Sequence, residues 1–118
     1  MEKVIAKIAA LGVPGLVFTV VLSSTAALTG LTGAALITAS LAALGPGGII
    51  GGIAFLGVAG LITDAITEYG ADKVLSGVVK ELYLKGESKE SIKEKVKKYP
   101  ISKKLKLKLY NTVDNFKV

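Results

Sequence analysis

Between Ile8 and Thr63 the chain runs for 56 consecutive residues without an aspartate, glutamate, lysine or arginine. A helix in water ordinarily carries a charged face opposite its buried one. A run this long without charge on any face belongs in a bilayer or at the centre of a large protein. With 118 residues the chain is of single-domain size and leaves much of its surface uncovered, so the bilayer is the expectation. The charges gather beyond the run, where residues 64–118 hold 8 of the 9 acidic residues and 13 of the 15 lysines. The expected organisation is therefore a membrane-embedded helical region, 1–63, followed by a lysine-rich amphipathic helical region, 64–118.

Glycines and prolines divide the uncharged run. Val4 to Leu28 reads as one long helix kinked at Pro14, with Thr29-Gly30-Leu31-Thr32-Gly33 as the turn after it. Ala34 to Leu44 is a second segment, Gly45 and Pro46 break the chain, and a third segment runs from Ile49 to the first acids, Asp64 and Glu68. A bilayer core takes on the order of 20 helical residues. The first segment is long enough to span, and the next two form a short glycine-broken hairpin, re-entrant or spanning with its flanks; two and three crossings both remain open. The excess of lysine after residue 64 places that half on the cytoplasmic side. Residues 1–26 also have the layout of a signal peptide, ending in Ser24-Thr25-Ala26, but Gly12, Pro14 and Gly15 within its apolar stretch argue against cleavage.

The fold class read from these patterns is all-α. In the second half, Ile66, Val74, Leu75, Val78, Val79 and Leu82 recur at helical spacing with Gly86 as a stop. Ser88 is the N-cap of a helix carrying Ile92, Val96 and Tyr99 and ended by Pro100; Ser102 is the N-cap of a last helix carrying Leu105, Leu109, Val113 and Phe116. Lys104 to Leu109 also alternates lysine and leucine with period two, so a strand is the alternative there.

The absent residue types exclude whole classes of chemistry. Without cysteine, histidine, tryptophan or arginine there are no disulfides, no usual transition-metal ligands, no acid/base group tuned to neutral pH and no bidentate phosphate forks. No enzyme activity, metal or cofactor is expected. Asp64, Glu68 and Asp72, spaced by four, read as the water interface of one helix rather than a cation site. Gly47-Gly48-Ile49-Ile50-Gly51-Gly52 matches a phosphate loop only in its glycine content, since no Gly-Lys-Ser/Thr follows. A net charge of +6 carried by lysine alone suits an anionic lipid leaflet better than nucleic acid, which is read by arginine and aromatic platforms.

Two patterns remain as candidate sites. Ala35, Ala39, Ala43, Gly47 and Gly51 recur every four residues, Gly48 and Gly52 repeat the spacing, and Gly57 and Gly60 follow. Small residues four apart let helix backbones approach closely in lipid, within one chain or between copies, and make a homo-oligomer the expected assembly. From Lys95 to Lys108 no acid intervenes, so Lys95, Lys97, Lys98, Lys103, Lys104, Lys106 and Lys108 are the expected contacts to anionic headgroups. The hydroxyls within the run are expected to bond back to their own helix or to a neighbour, the sharper alternative being that Thr38 and similar groups line a wet pore.

The stretch Leu41 to Gly60, LAALGPGGIIGGIAFLGVAG, resembles the glycine-zipper hairpins of small bacterial membrane proteins of unknown function. More distantly it is similar to the interferon-inducible Gly/Ala-rich mitochondrial membrane proteins, although the tail Tyr99 to Tyr110, YPISKKLKLKLY, has no counterpart in them. The resemblance implies a bacterial inner-membrane location and a membrane-active or cell-death-linked role, with no catalytic residues. The expected function is a self-associating membrane protein that permeabilises or remodels the bilayer. The alternatives are a membrane-anchored adaptor whose C-terminal helices bind a cytoplasmic protein, and a soluble oligomer burying its apolar halves.

Overall fold

The computed structural model describes residues 1–44, 53–99 and 101–116. Among these the chain forms seven helices and no strand: α1 (Glu2–Ala10), α2 (Val13–Thr29), α3 (Gly33–Leu44), α4 (Ile53–Tyr69), α5 (Ala71–Leu84), α6 (Lys89–Lys97) and α7 (Lys103–Asn115). The all-α class is as expected. The glycine-rich break, including Gly45, Pro46, Gly47, Gly48, Gly51 and Gly52, lies outside the described residues, as does Pro100.

The long first segment is two helices, which corrects the expectation of one kinked rod. The backbone turns at Leu11-Gly12, where Gly12 takes φ +75°, and α1 and α2 meet at 119°. Pro14 does not kink a helix interior; it stands in the first turn of α2, where its missing N–H costs no intrahelical bond. Gly15 lets α1 fold back, because a Cβ there would lie 2.3 Å from the Ile8 carbonyl oxygen. The first amphipathic helix is likewise divided. Gly70, at φ +89°, separates α4 from α5, so Ile66 belongs to α4 and Val74 to Leu82 to α5.

Helix α2 is the axis of the molecule and packs against each of the other six helices. Its residues from Gly15 to Leu22 are all buried, Leu16, Val21 and Leu22 completely. One core joins them to Ile5 and Ile8 of α1, Leu36 of α3, Ile62 of α4, Val74, Val78 and Leu82 of α5, Ile92 and Val96 of α6, and Leu109 and Val113 of α7. Both halves of the sequence thus share a single apolar interior. Burial of each such side chain contributes about 1.5–3 kcal/mol. The apolarity that reads as lipid contact on α2 is satisfied here by the chain's own amphipathic helices.

The C-terminal helices start as their local sequences dictate. Ser88 caps α6 by accepting from Ser91 N–H, and Ser91 Oγ accepts in return from Ser88 N–H at 2.7 Å. Ser102 accepts from Leu105 N–H at 3.2 Å to begin α7. Lys104 to Leu109 lies within α7, so the strand alternative is set aside: with one apolar residue in three or four facing α2 and α6, the helical period is the one the core can use.

Candidate functional site

The end of α2, the turn after it and the outer side of α3 form one uncharged surface. Ala27, Leu28, Thr29, Leu31, Thr32, Ala34, Ala35, Thr38 and Ala42 are exposed, with Leu28 at 76 % and Leu31 at 37 %. Gly30, at φ +70°, closes α2 by donating its N–H to the Ala26 carbonyl, and Gly33, at φ +58°, opens α3, so two glycines let the chain reverse without a polar loop. Soluble surfaces intersperse charges of both signs at close spacing. This one has none along its whole length.

Of the small-residue pattern, Ala35 is exposed, Ala39 is half-buried and Gly60 is exposed with no neighbouring atom within 4 Å of where its Cβ would be. Ala43 and Gly57 belong to α3 and α4. The close approaches within the described residues fall on other glycines: Gly15 against the Ile8 carbonyl, and Gly77 of α5, whose Cβ would sit 3.0 Å from the Ile5 side chain. Sequence reasoning missed both as packing points. Gly15 had a local signal in its neighbours Gly12 and Pro14; Gly77 had none.

Of the nine hydroxyl residues in the uncharged run, five bond back to their own helix as expected, Thr29 to the Thr25 carbonyl among them, whereas Ser24, Thr25, Thr32 and Ser40 donate no such bond among the described residues. Thr19 donates to the Gly15 carbonyl at 2.8 Å, Ser23 to Thr19 at 2.8 Å, Thr38 to Ala34 at 3.0 Å and Thr63 to Ala59 at 2.8 Å, each closing onto its own helix. Ser40 differs. Its Oγ is fully buried on the inner side of α3 and has no hydrogen-bond partner among the described residues.

The lysine-rich region divides into lysines that are tied and lysines that are free. Lys95 pairs with Glu87, whose carboxyl also accepts from Ser91 Oγ at 2.6 Å. These hydrogen bonds hold Glu87 below the usual carboxylate range. Lys93 reaches Asp114 at 2.6 Å and Lys89 the same oxygen at 3.6 Å, joining α6 to α7 and lowering the Asp114 carboxyl in the same way. Lys106 donates to the Lys97 carbonyl at 2.7 Å, satisfying an end of α6. Lys97, Lys98, Lys103 and Lys104 stand exposed and form no ion pair among the described residues, and Lys108 is half-buried. Burial pushes the phenols of Tyr99 and Tyr83 up, with Glu87 and Glu90 respectively adding to the effect.

Asp64, Glu68 and Asp72 do not form one stripe, because Gly70 puts Asp72 on a separate helix. Among the described residues no three acidic side chains converge on a metal-sized site. By length and composition, no single described helix is long and apolar enough to cross a membrane; α1 and α2 reach that length only as a pair bent by 119°. No protein-family model matches the chain, and no match was found among curated proteins or solved structures.

Proposed function

We propose that this chain is a membrane-active protein that engages a bilayer through its uncharged α2–α3 surface, self-associates there, and permeabilises or remodels the membrane. The observation that carries the reading is the uncharged surface formed by the exposed residues between Ala27 and Ala42, continuous with an α2 that bears no charge on any face. In water such a surface is a liability, whereas against acyl chains it costs nothing. The free lysines Lys97, Lys98, Lys103 and Lys104 add attraction to anionic headgroups, on the order of 1 kcal/mol for each one near the surface.

The helix lengths limit how insertion proceeds. Helix α2 has 17 residues and α3 has 12, about 26 and 18 Å at 1.5 Å per residue, against a core of about 30 Å. They enter as a thin or re-entrant pair, and the amphipathic helices around α2 exchange contact with α2 for contact with the interface. Dye release from liposomes containing anionic lipid tests this directly. Release that rises steeply with protein concentration is expected; protein that inserts at saturation and leaves the vesicles intact would overturn permeabilisation.

A second reading is favoured by one observation. Because α2 is enclosed by the chain's own helices, the fold needs no lipid to bury it, and the uncharged face is then covered by another copy in a water-soluble assembly. Carbonate extraction of membranes separates the two: resistance supports the membrane reading, and complete release as a soluble oligomer supports the second.

A further inference from the structure

An open groove of about 350 Å³ lies where α2, α5 and α7 meet, next to the uncharged face. Its polar lining comes from three helices: Ser23 and Ser24 from α2, Asp72 from α5, and Lys108, Asn111 and Thr112 from α7, with the Ser23 and Thr112 hydroxyls already donated to the Thr19 and Lys108 carbonyls. Leu28 and Leu75 are among its apolar walls. Among the described residues neither Asp72 nor Lys108 forms an ion pair, and neither Ser24 nor the Asn111 side chain makes a hydrogen bond. A groove that offers one free cation, one free anion and two unused hydrogen-bonding side chains is complementary to a ligand that carries both charges.

We infer that this groove, in the packed fold that first meets the bilayer and before α2 exchanges its neighbours for lipid, binds the headgroup of a phosphoethanolamine-type phospholipid, a reading that rests on the membrane activity proposed above. Lys108 meets the phosphate, with Asn111 donating to it. Asp72, in the first turn of α5, accepts from the ligand's primary ammonium together with Ser24. A trimethylated ammonium has no N–H to give, and proteins hold it with aromatic faces; among the described residues no aromatic side chain lines this groove. A purely anionic headgroup leaves Asp72 facing negative charge. The lipid is favoured over the free headgroup by what adjoins the polar end: Leu28, 76 % exposed, lines the groove and begins the uncharged surface along which acyl chains would lie. The volume falls at the lower end for small-molecule sites and suits a headgroup with its glycerol rather than a whole lipid.

The test is flotation of the full chain with vesicles of phosphatidylcholine alone, phosphatidylcholine with phosphatidylethanolamine, and phosphatidylcholine with phosphatidylglycerol. The ethanolamine lipid is expected to raise binding over phosphatidylcholine by roughly two- to fivefold, the range one exposed ion pair supplies. D72N should remove that gain while leaving phosphatidylglycerol binding in place, and D72E, which keeps the carboxylate, should retain it. Helical content by circular dichroism confirms that each variant is folded. A gain that survives in D72N reports bilayer packing and overturns the inference, as does equal binding to the ethanolamine and choline lipids. Binding of free glycerophosphoethanolamine, seen by NMR, without any vesicle preference assigns the groove to a soluble ligand and overturns the lipid. Failure to float with any vesicle overturns the membrane reading itself, so the two failures are distinct.

Discussion

Helix α2 and the α6–α7 pair are held by opposite means. Helix α2 has no charge and no side-chain cap, and its place is set by burial on nearly every side. Helices α6 and α7 bury only narrow stripes, Ile92 and Val96 on one and Leu109 and Val113 on the other, and add serine caps and the Asp114 and Glu87 ion pairs. The contrast assigns different jobs to the two. A helix held by apolar contact alone finds an equivalent environment in lipid, whereas helices that depend on caps and ion pairs do so only where water and headgroups remain.

The comparison breaks first at α2. Leu16→Ala leaves a cavity beneath every surrounding layer and is expected to cost about 2–5 kcal/mol, read from urea unfolding. A loss below about 1 kcal/mol, the scale of an exposed site, would mean α2 is not the axis of the fold.

Next come the glycines. Gly15→Ala drives a methyl into the Ile8 carbonyl and should cost about 1–3 kcal/mol, with faster hydrogen exchange across α1 as it detaches. Gly60→Ala meets open space in mid-helix and should stabilise the monomer by about 0.4–1 kcal/mol. If Gly60→Ala is stable yet fails to release dye, the glycine is used between copies in the membrane; unchanged release removes it from the oligomerisation surface.

Ser88→Ala removes the cap of α6 and should cost about 1 kcal/mol, in keeping with other N-caps. A neutral result would show that packing of Ile92 and Val96 starts the helix without it. The smallest effect is the pH dependence. Glu87 and Asp114 are both depressed below their ordinary values of 4.5 and 3.8. Their contribution is therefore fully present above those values and is lost as pH falls through the lower folded ones. The melting temperature should decline on acidification below the ordinary carboxylate range, and less so in a Glu87→Gln, Asp114→Asn double variant. An identical decline in that variant would place the acid sensitivity elsewhere.

Legibility followed locality. Ser88 and Ser102 act within three residues of themselves, and Gly86, at φ +103°, ends α5 through a backbone state that favours glycine; such features are read directly along the chain. The sequence points to a kink at Pro14 where the fold has an elbow at Gly12, because proline is disruptive inside a helix and harmless in a first turn, and only the position of the turn decides which. Gly70 leaves no mark in the pattern, since the apolar spacing continues across it. The groove between α2, α5 and α7 was not legible at all: Ser24, Asp72, Lys108 and Asn111 are far apart in sequence and meet only when three helices pack.

The sequence by itself determined that the protein is helical, where its C-terminal helices begin, and that 56 residues in a row carry no charge. Only the tertiary structure decided what covers them: α2 is enclosed by both halves of the chain, while the side of α3 facing away stays bare. The physical reason is that hydrophobic burial is non-directional. It requires that apolar surface be covered without naming the cover, and lipid, another copy and the chain's own helices satisfy it alike until packing selects among them.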